Sequence, residues 1–154
     1  MKDFDRFTKR IIKGSEENSC WVWCGAIGDD GYGRFWTQDS STKKARYFRA
    51  HRYAAMMAME LSADEISTML VLHRCDNPLC VRATSGADSH LVLGDHAQNM
   101  QDRADRQRHK VEGNKKAHAH KARELRDLII SQGYNQEAVN QFVLGLHPQQ
   151  QSLF

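Results

Sequence analysis

Apolar residues along this chain follow helical spacing in some segments and strand-like alternation in others. Residues 1–19 carry phenylalanines and isoleucines at helical spacing up to a Gly-Ser pair, which predicts an amphipathic helical lead-in. β-Prone aromatic runs follow at 20–24 and 32–37, and a polar loop leads to a returning run at 45–50, which predicts a β-hairpin region. Residues 51–61 are rich in Ala and Met, so they predict a helix.

The middle of the chain predicts strand, long loop, strand and helix, in that order. An apolar run at 67–72 leads directly to His73, and a second short strand covers 90–93. Asp95 is a good N-cap for a helix from Ala97 to about His109. This order of elements is a ββα unit.

The predicted elements divide the chain into three parts: the lead-in 1–19, a domain at 20–110 and a helical extension at 111–154. The extension contains two helical patterns joined by a Gly-Tyr turn, which are compatible with a degenerate helix-turn-helix. The fold class is therefore α+β. Only 40% of the 154 residues are hydrophobic, and a core this modest favours a structural metal or an oligomer.

Basic residues are concentrated in one segment. From Arg103 to Arg126 there are nine Lys and Arg against three Asp and Glu, a formal charge of +6. A stripe of this kind suits a polyanion such as nucleic acid. No apolar run reaches the roughly 20 residues that a membrane helix needs, and the N-terminus lacks an apolar export segment, so we expect a cytoplasmic protein without a membrane partner.

In a reducing compartment, cysteines beside histidines are more typical of metal ligands than of disulfides. Cys75 and Cys80 have zinc-ligand spacing, and His90 is the expected third ligand. Cys20 and Cys24 compete to be the fourth: an extended strand separates them by roughly 13 Å, whereas thiolates on one zinc lie within about 4.6 Å. We favour Cys20; a site built from all four cysteines is the main alternative, and four buried free cysteines are another.

His73 is predicted at a strand end beside this loop. About 6.6 Å of extended chain separates it from Cys75, so it does not easily join the same zinc. A pKa near 6.5 allows a histidine to accept a proton from water. The oxygen of Asn99, on the predicted helix, suits Mg²⁺, which prefers oxygen ligands. Together, the two residues predict phosphodiester hydrolysis at a ββα unit.

Several motifs resemble those of HNH endonucleases of the ββα-metal (His-Me finger) superfamily, of the phage and mobile-intron type. They cover residues 73–81, His90-Leu91, Gly94 and 98–100, with further matching motifs between residues 20 and 52. The zinc-loop pattern is similar to that of the His-Cys box homing endonucleases. The resemblance extends from about residue 20 to 108.

The resemblance implies a ββα-metal core in a DNA endonuclease that leaves 5′-phosphate and 3′-hydroxyl ends on double-stranded DNA. It implies His73 as general base, Asn99 as ligand of a catalytic magnesium, and Arg46 or Arg49 as the residue that steadies the scissile phosphate. It also implies four structural zinc ligands: Cys20, Cys75, Cys80 and His90.

Other interpretations stay open at this point. A zinc-stapled DNA-binding regulator keeps the cysteines and the basic stripe without chemistry. A toxin-like nuclease cuts any nucleic acid. A homodimer is one route to cleavage of both strands. The resemblance places the protein in the cytoplasm of a bacterium or a phage-infected host cell.

Overall fold

The computed structural model describes residues 2–95, 97, 100–101 and 115–146. Over these residues the protein is α+β, with three two-stranded antiparallel hairpins and five helices whose bounds are fully described. The elements, in chain order, are α1 Lys2–Thr8, β1 Ile11–Lys13, β2 Trp21–Trp23, β3 Arg34–Gln38, β4 Ala45–Arg49, α2 Ala50–Ala58, α3 Ala63–Ser67, β5 Leu70–His73, β6 Leu91–Gly94, α4 Lys115–Gln132 and α5 Gln136–Leu146.

The helical lead-in is shorter than predicted. Helix α1 ends at Thr8, and Ile11 and Ile12 belong to strand β1, which pairs with β2. β-Branched isoleucines favour extended backbone, and here Ile11 lies opposite Trp23 in the register. The apolar periodicity across 4–12 therefore spans two elements: Phe7 is buried in the helix, and Ile11 and Ile12 pack against different cores from the strand.

An aromatic core joins α1, β2, the β3–β4 hairpin and α2. The ring of Phe7 lies 4.9 Å from Trp23, 5.1 Å from Phe35 and 4.8 Å from Tyr53, and all four residues are buried. Gly33 precedes β3 where a Cβ would lie 2.4 Å from Trp23, so the chain passes this core only because the residue is glycine. The hairpin is thus fixed against the rest of the molecule.

Between α2 and β5 the chain forms a further short helix, where the sequence analysis assigned none. Helix α3 begins with a capping box in which the Ser62 hydroxyl accepts from the Glu65 N–H and the Glu65 carboxylate accepts from the Ser62 N–H. Strand β5 then pairs with β6, and His73 lies opposite Leu91. Beyond β6, Ala97, Met100 and Gln101 are helical. The remainder of the predicted 97–109 helix lies outside the described residues, so the ββα unit stays a prediction.

Helices α4 and α5 pack on the loop that carries Cys75 and Cys80. Buried apolar residues of the two helices join a second core with Val22, Leu79 and Cys80; they are Ala122, Leu125, Ile129, Val139, Phe142 and Leu146. The helical extension is therefore built into the fold around that loop. Of the helices in the described ranges, none combines the length and hydrophobicity of a membrane span.

Candidate metal centre and active site

Backbone pairing brings the N-terminal thiols to the cysteine loop. Strand β2 forms an antiparallel bridge between Val22 and Cys80, supported by hydrogen bonds from Trp23 N–H to Leu79 O and from Val81 N–H to Trp21 O, both 2.8 Å. Cys20 lies two residues before Val22, so this pairing brings its sulfur atom close to that of Cys80. On the other side of the loop, the His90 carbonyl accepts from the Arg74 N–H at 2.8 Å, which draws His90 towards Cys75.

Four predicted ligands come together as a Cys3His cluster. The sulfur atoms of Cys20, Cys75 and Cys80 and a ring nitrogen of His90 all lie within 4.8 Å of one another. His90 Nδ1 is 3.8 Å from Cys20 Sγ and 3.5 Å from Cys80 Sγ. Tetrahedral bonds of about 2.3 Å to sulfur and 2.0 Å to nitrogen set sulfur–nitrogen separations of about 3.5 Å. The donor set and its spacing are therefore consistent with structural zinc.

The electrostatics of the three thiols favour a bound cation. Hydrogen bonds from Cys75 and Cys80 lower the pKa of Cys20. The contact with Cys20 raises the pKa of Cys75, and burial raises the pKa of Cys80 to about 12. The cluster therefore accommodates one thiolate readily and resists further negative charge. A divalent metal offsets that repulsion, because cysteine binds metals as the thiolate.

Cys24 lies apart from the Cys3His cluster. Its backbone N–H donates to the Arg10 carbonyl at 2.7 Å, and its thiol donates to the Val22 carbonyl at 3.5 Å. Burial raises the pKa of the Cys24 thiol to about 11, so the group stays protonated at neutral pH. Cys24 therefore packs as a neutral side chain.

The ring of His73 is hydrogen-bonded to the loop that carries Cys75 and Cys80. Its Nε2 lies 3.1 Å from the Cys80 carbonyl oxygen. A carbonyl only accepts, so Nε2 carries the hydrogen and, in the neutral ring, Nδ1 carries the lone pair. The loop that holds the Cys3His cluster therefore fixes both the orientation and the tautomer of His73.

A second histidine and a tyrosine surround His73. The rings of His51 and His73 are 4.7 Å apart, and Tyr32 lies 5.1 Å from His51 and 6.3 Å from His73. Burial lowers the pKa of His51 well below its usual value, with a further contribution from His73. His51 Nδ1 is buried without a hydrogen-bond partner in the described structure. His51 is therefore a neutral part of this ring cluster.

Part of the chain is similar to two proteins of Escherichia phage T7. It is 38% identical over 85 residues to Protein 2.8 and 28% identical over 83 residues to Protein 7.7. The matched segments are 55% and 54% of this chain and 49% and 53% of those proteins, so the chain spans about half the length of the curated relatives it matches. No family model matches the chain. No solved structure matches it either.

The two candidate arginines lie on opposite faces of the β3–β4 hairpin. Arg49 extends over the Tyr32 ring at 4.9 Å and forms an ion pair with Asp30 at 3.0 Å. Arg46 instead forms an ion pair with Asp64 at 3.3 Å. The register places Arg34 opposite Arg49, and Arg34 binds the same Asp30 oxygen at 2.8 Å. Arg34 is a candidate that the sequence analysis missed.

The remaining predictions fall partly outside the described residues. Asn99 lies there, as does the part of the basic stripe from Arg103 to residue 114. Within helix α4, Arg123 donates to the Ile27 carbonyl at 3.0 Å and Arg126 donates to the Gly25 carbonyl at 3.2 Å. These two arginines therefore help to attach α4 to the rest of the fold. Tyr32 and Asp30 were not among the predicted site residues, because a contact such as that between the rings of Tyr32 and His73 joins distant parts of the sequence.

Proposed function

We propose that this protein is a metal-dependent DNA endonuclease that hydrolyses phosphodiester bonds and leaves 5′-phosphate and 3′-hydroxyl ends. The observation that carries the proposal is the placement of His73. The His73 imidazole has a fixed tautomer and is hydrogen-bonded to the loop of the Cys3His cluster. A network of arginines on the hairpin lies nearby. The phage relatives agree with the phage-type resemblance of the motifs, although neither relative's name states an activity.

In this proposal His73 is the general base. Its Nδ1 lone pair accepts a proton from the attacking water, while the Nε2 hydrogen bond to Cys80 keeps the ring in place. The protonated ring is then stabilised by the Cys80 carbonyl, which accepts from Nε2 in both protonation states. Proton transfer of this kind typically contributes 10²–10⁴-fold to a rate.

The charge of the reacting phosphate is met by the arginines on the same side as Tyr32. Arg34 and Arg49 share one carboxylate of Asp30, so the three groups carry a net positive charge next to the rings of Tyr32 and His73. Guanidinium groups bind phosphate oxygens in a bidentate manner. We assign Arg49, with Arg34, to the phosphate, in place of Arg46.

Two metals belong to the proposal. Zinc at Cys20, Cys75, Cys80 and His90 is structural and fixes the loop that carries His73. A divalent cation such as Mg²⁺, held by Asn99, would stabilise the charge that develops on the phosphate and on the leaving oxygen. Double-stranded DNA is the proposed partner.

A plasmid assay with magnesium tests the proposal. We expect the wild-type protein to nick or linearise the plasmid and the His73→Ala variant to be slower by at least about 100-fold, with one zinc per chain in both proteins. His120→Ala is the matched control, because His120 lies exposed on α4, and it should cut as the wild type does. If plasmid survives the wild-type protein with every divalent metal tried, the endonuclease proposal is wrong, and a zinc-stapled DNA-binding regulator becomes the better interpretation.

A further inference from the structure

The outer face of the β3–β4 hairpin exposes two large aromatic side chains that the aromatic core does not use. Trp36 and Tyr47 lie opposite each other in the register, with 48% and 74% of their surfaces exposed. Phe35, next to Trp36 along the strand, points the other way into the core and is 4% exposed. Because successive side chains of a strand point to opposite faces, Trp36 and Tyr47 face solvent while the other face of the hairpin packs into the aromatic core.

The exposed indole is held in place by an arginine from another element. The Arg6 guanidinium lies 4.4 Å from the centre of the Trp36 ring, and Arg6 also donates a hydrogen bond to the Trp36 carbonyl. Arg6 is in turn paired with Asp3 at 3.3 Å. An ordered exposed ring loses less conformational freedom on binding than a free one does. Trp36 is therefore preorganised as a contact surface.

The charges around the aromatic pair favour a polyanion. Residues 34–49 contain five basic residues and one acidic residue, Asp39. With Arg6, Asp3 and Asp30, which pair with the arginines here, the region still carries a formal charge of about +3. The Asp39 carboxylate accepts from the Ser41 and Thr42 backbone N–H groups in the hairpin turn, so its charge is engaged locally. Aromatic side chains among basic residues are the combination that contacts both the bases and the phosphates of nucleic acids.

The aromatic pair shares its face with the arginines of the proposed active site. Arg34 and Arg49 are two positions along the strands from Trp36 and Tyr47, and so lie on the same face. Arg49 in turn lies over Tyr32, which neighbours His73. A duplex whose phosphate lies at Arg49 would therefore pass the aromatic pair within two residues of strand, or about 7 Å.

We propose that this face binds the duplex beside the scissile phosphate, with Trp36 and Tyr47 in contact with bases and Arg34 and Arg49 in contact with phosphates. The inference rests on the proposed function for the identity of its substrate. A two-stranded ribbon fits the major groove of B-DNA, where an aromatic side chain contacts base edges and the thymine methyl group. The aromatic contribution is non-ionic, so salt should distinguish it from that of the arginines.

Binding measured without cleavage tests the inference. Zinc-loaded full-length protein is titrated into a fluorescein-labelled 30-base-pair duplex without magnesium, at several salt concentrations. We expect Trp36→Ala and Tyr47→Ala each to weaken binding about tenfold at every salt concentration, with an unchanged salt slope. Arg49→Gln should reduce that slope by about one. Trp36→Phe should bind almost as the wild type does, because it keeps an aromatic ring.

Intrinsic fluorescence gives an independent measure. Saturating duplex should quench tryptophan emission in the wild type, and the Trp36→Phe variant should lose most of that quenching, because Trp23 is buried and Trp21 partly so. Ile130→Ala, an exposed apolar residue on α4, is the control and should behave as the wild type in both measurements. If Trp36→Ala and Tyr47→Ala bind DNA as tightly as the wild type while the wild type cuts plasmid, the inference is wrong and the proposed function stands. If these two variants bind weakly but the wild type cuts no plasmid, DNA binding by this face stands and the nuclease proposal fails.

Discussion

At the residue scale, four positions of sequence separate two cysteines with different roles. Cys20 belongs to the Cys3His cluster, whereas Cys24 binds backbone carbonyl and remains protonated. We therefore expect Cys20→Ser to lose most of its zinc and Cys24→Ser to retain about one zinc per chain. Metal analysis after dialysis, with thermal unfolding of the same samples, measures both effects. Equal zinc loss in the two variants would instead favour a site made of four cysteines.

His51 predicts a pH dependence of stability. Burial lowers its pKa below the value of about 6.5 that it has in an unfolded chain, so below that pH the unfolded state binds more protons than the native state. Stability should fall as the pH falls, by about 1.4 kcal/mol per pH unit from this residue, until the pKa of the native state is reached.

Urea unfolding at pH 7.5, 6.5 and 5.5 measures this contribution. His51→Gln should show a shallower loss of unfolding free energy at low pH than the wild type. The exposed His120→Gln variant is its control and should follow the wild type. Protonation of the cluster residues is common to all three proteins, so it cancels in the comparison. Parallel curves for wild type and His51→Gln would show that His51 does not carry the effect.

At the element scale, the β3–β4 hairpin was accessible from sequence and its faces were not. The runs at 32–37 and 45–50 predicted β3 and β4 because β-prone residues flank a polar loop. The choice between Arg46 and Arg49 needed the register, since positions three apart on a strand lie on opposite faces. Likewise Ile11 and Ile12 fit a helical repeat, and only pairing with β2 assigns them to a strand.

The hairpin register makes its own prediction. If the proposed function holds, Arg49→Gln should slow plasmid cleavage by about tenfold or more, because the charge that we assign to the phosphate is lost. Arg46→Gln should change cleavage less than twofold, because Arg46 is engaged with Asp64 on the other face. Initial rates at saturating protein give the comparison, and circular dichroism confirms that both variants fold. Equal effects of the two substitutions would contradict the assigned face.

At the scale of the whole molecule, the cysteine loop connects two cores. Val81 lies in the aromatic core, whereas Leu79 and Cys80 lie in the second core. Three consecutive residues of the loop therefore join the two cores. Three members of the Cys3His cluster were predictable because the spacing of Cys75, Cys80 and His90 is a local property of sequence. Strand geometry excluded only the joint use of Cys20 and Cys24, and the resemblance favoured Cys20. The packing of α4 and α5 over the loop was not, because apolar spacing identifies a helical face without its partner.

That packing predicts how the protein responds to zinc removal. Tyr134, between α4 and α5, accepts from the Cys20 backbone N–H at 3.2 Å, so the helices contact a ligand residue directly. Without metal, the thiols cannot remain ionised together and the loop loses its constraint, so the surface that buries Ile129 and Phe142 is no longer fixed. Amide hydrogen exchange should therefore become faster in α4 and α5 as well as in the loop, and readdition of zinc should restore protection. Full protection of α4 and α5 in chelator-treated protein would mean that the helices hold the loop rather than depend on it, and the metal would then serve to position His73 within a fold that is already stable.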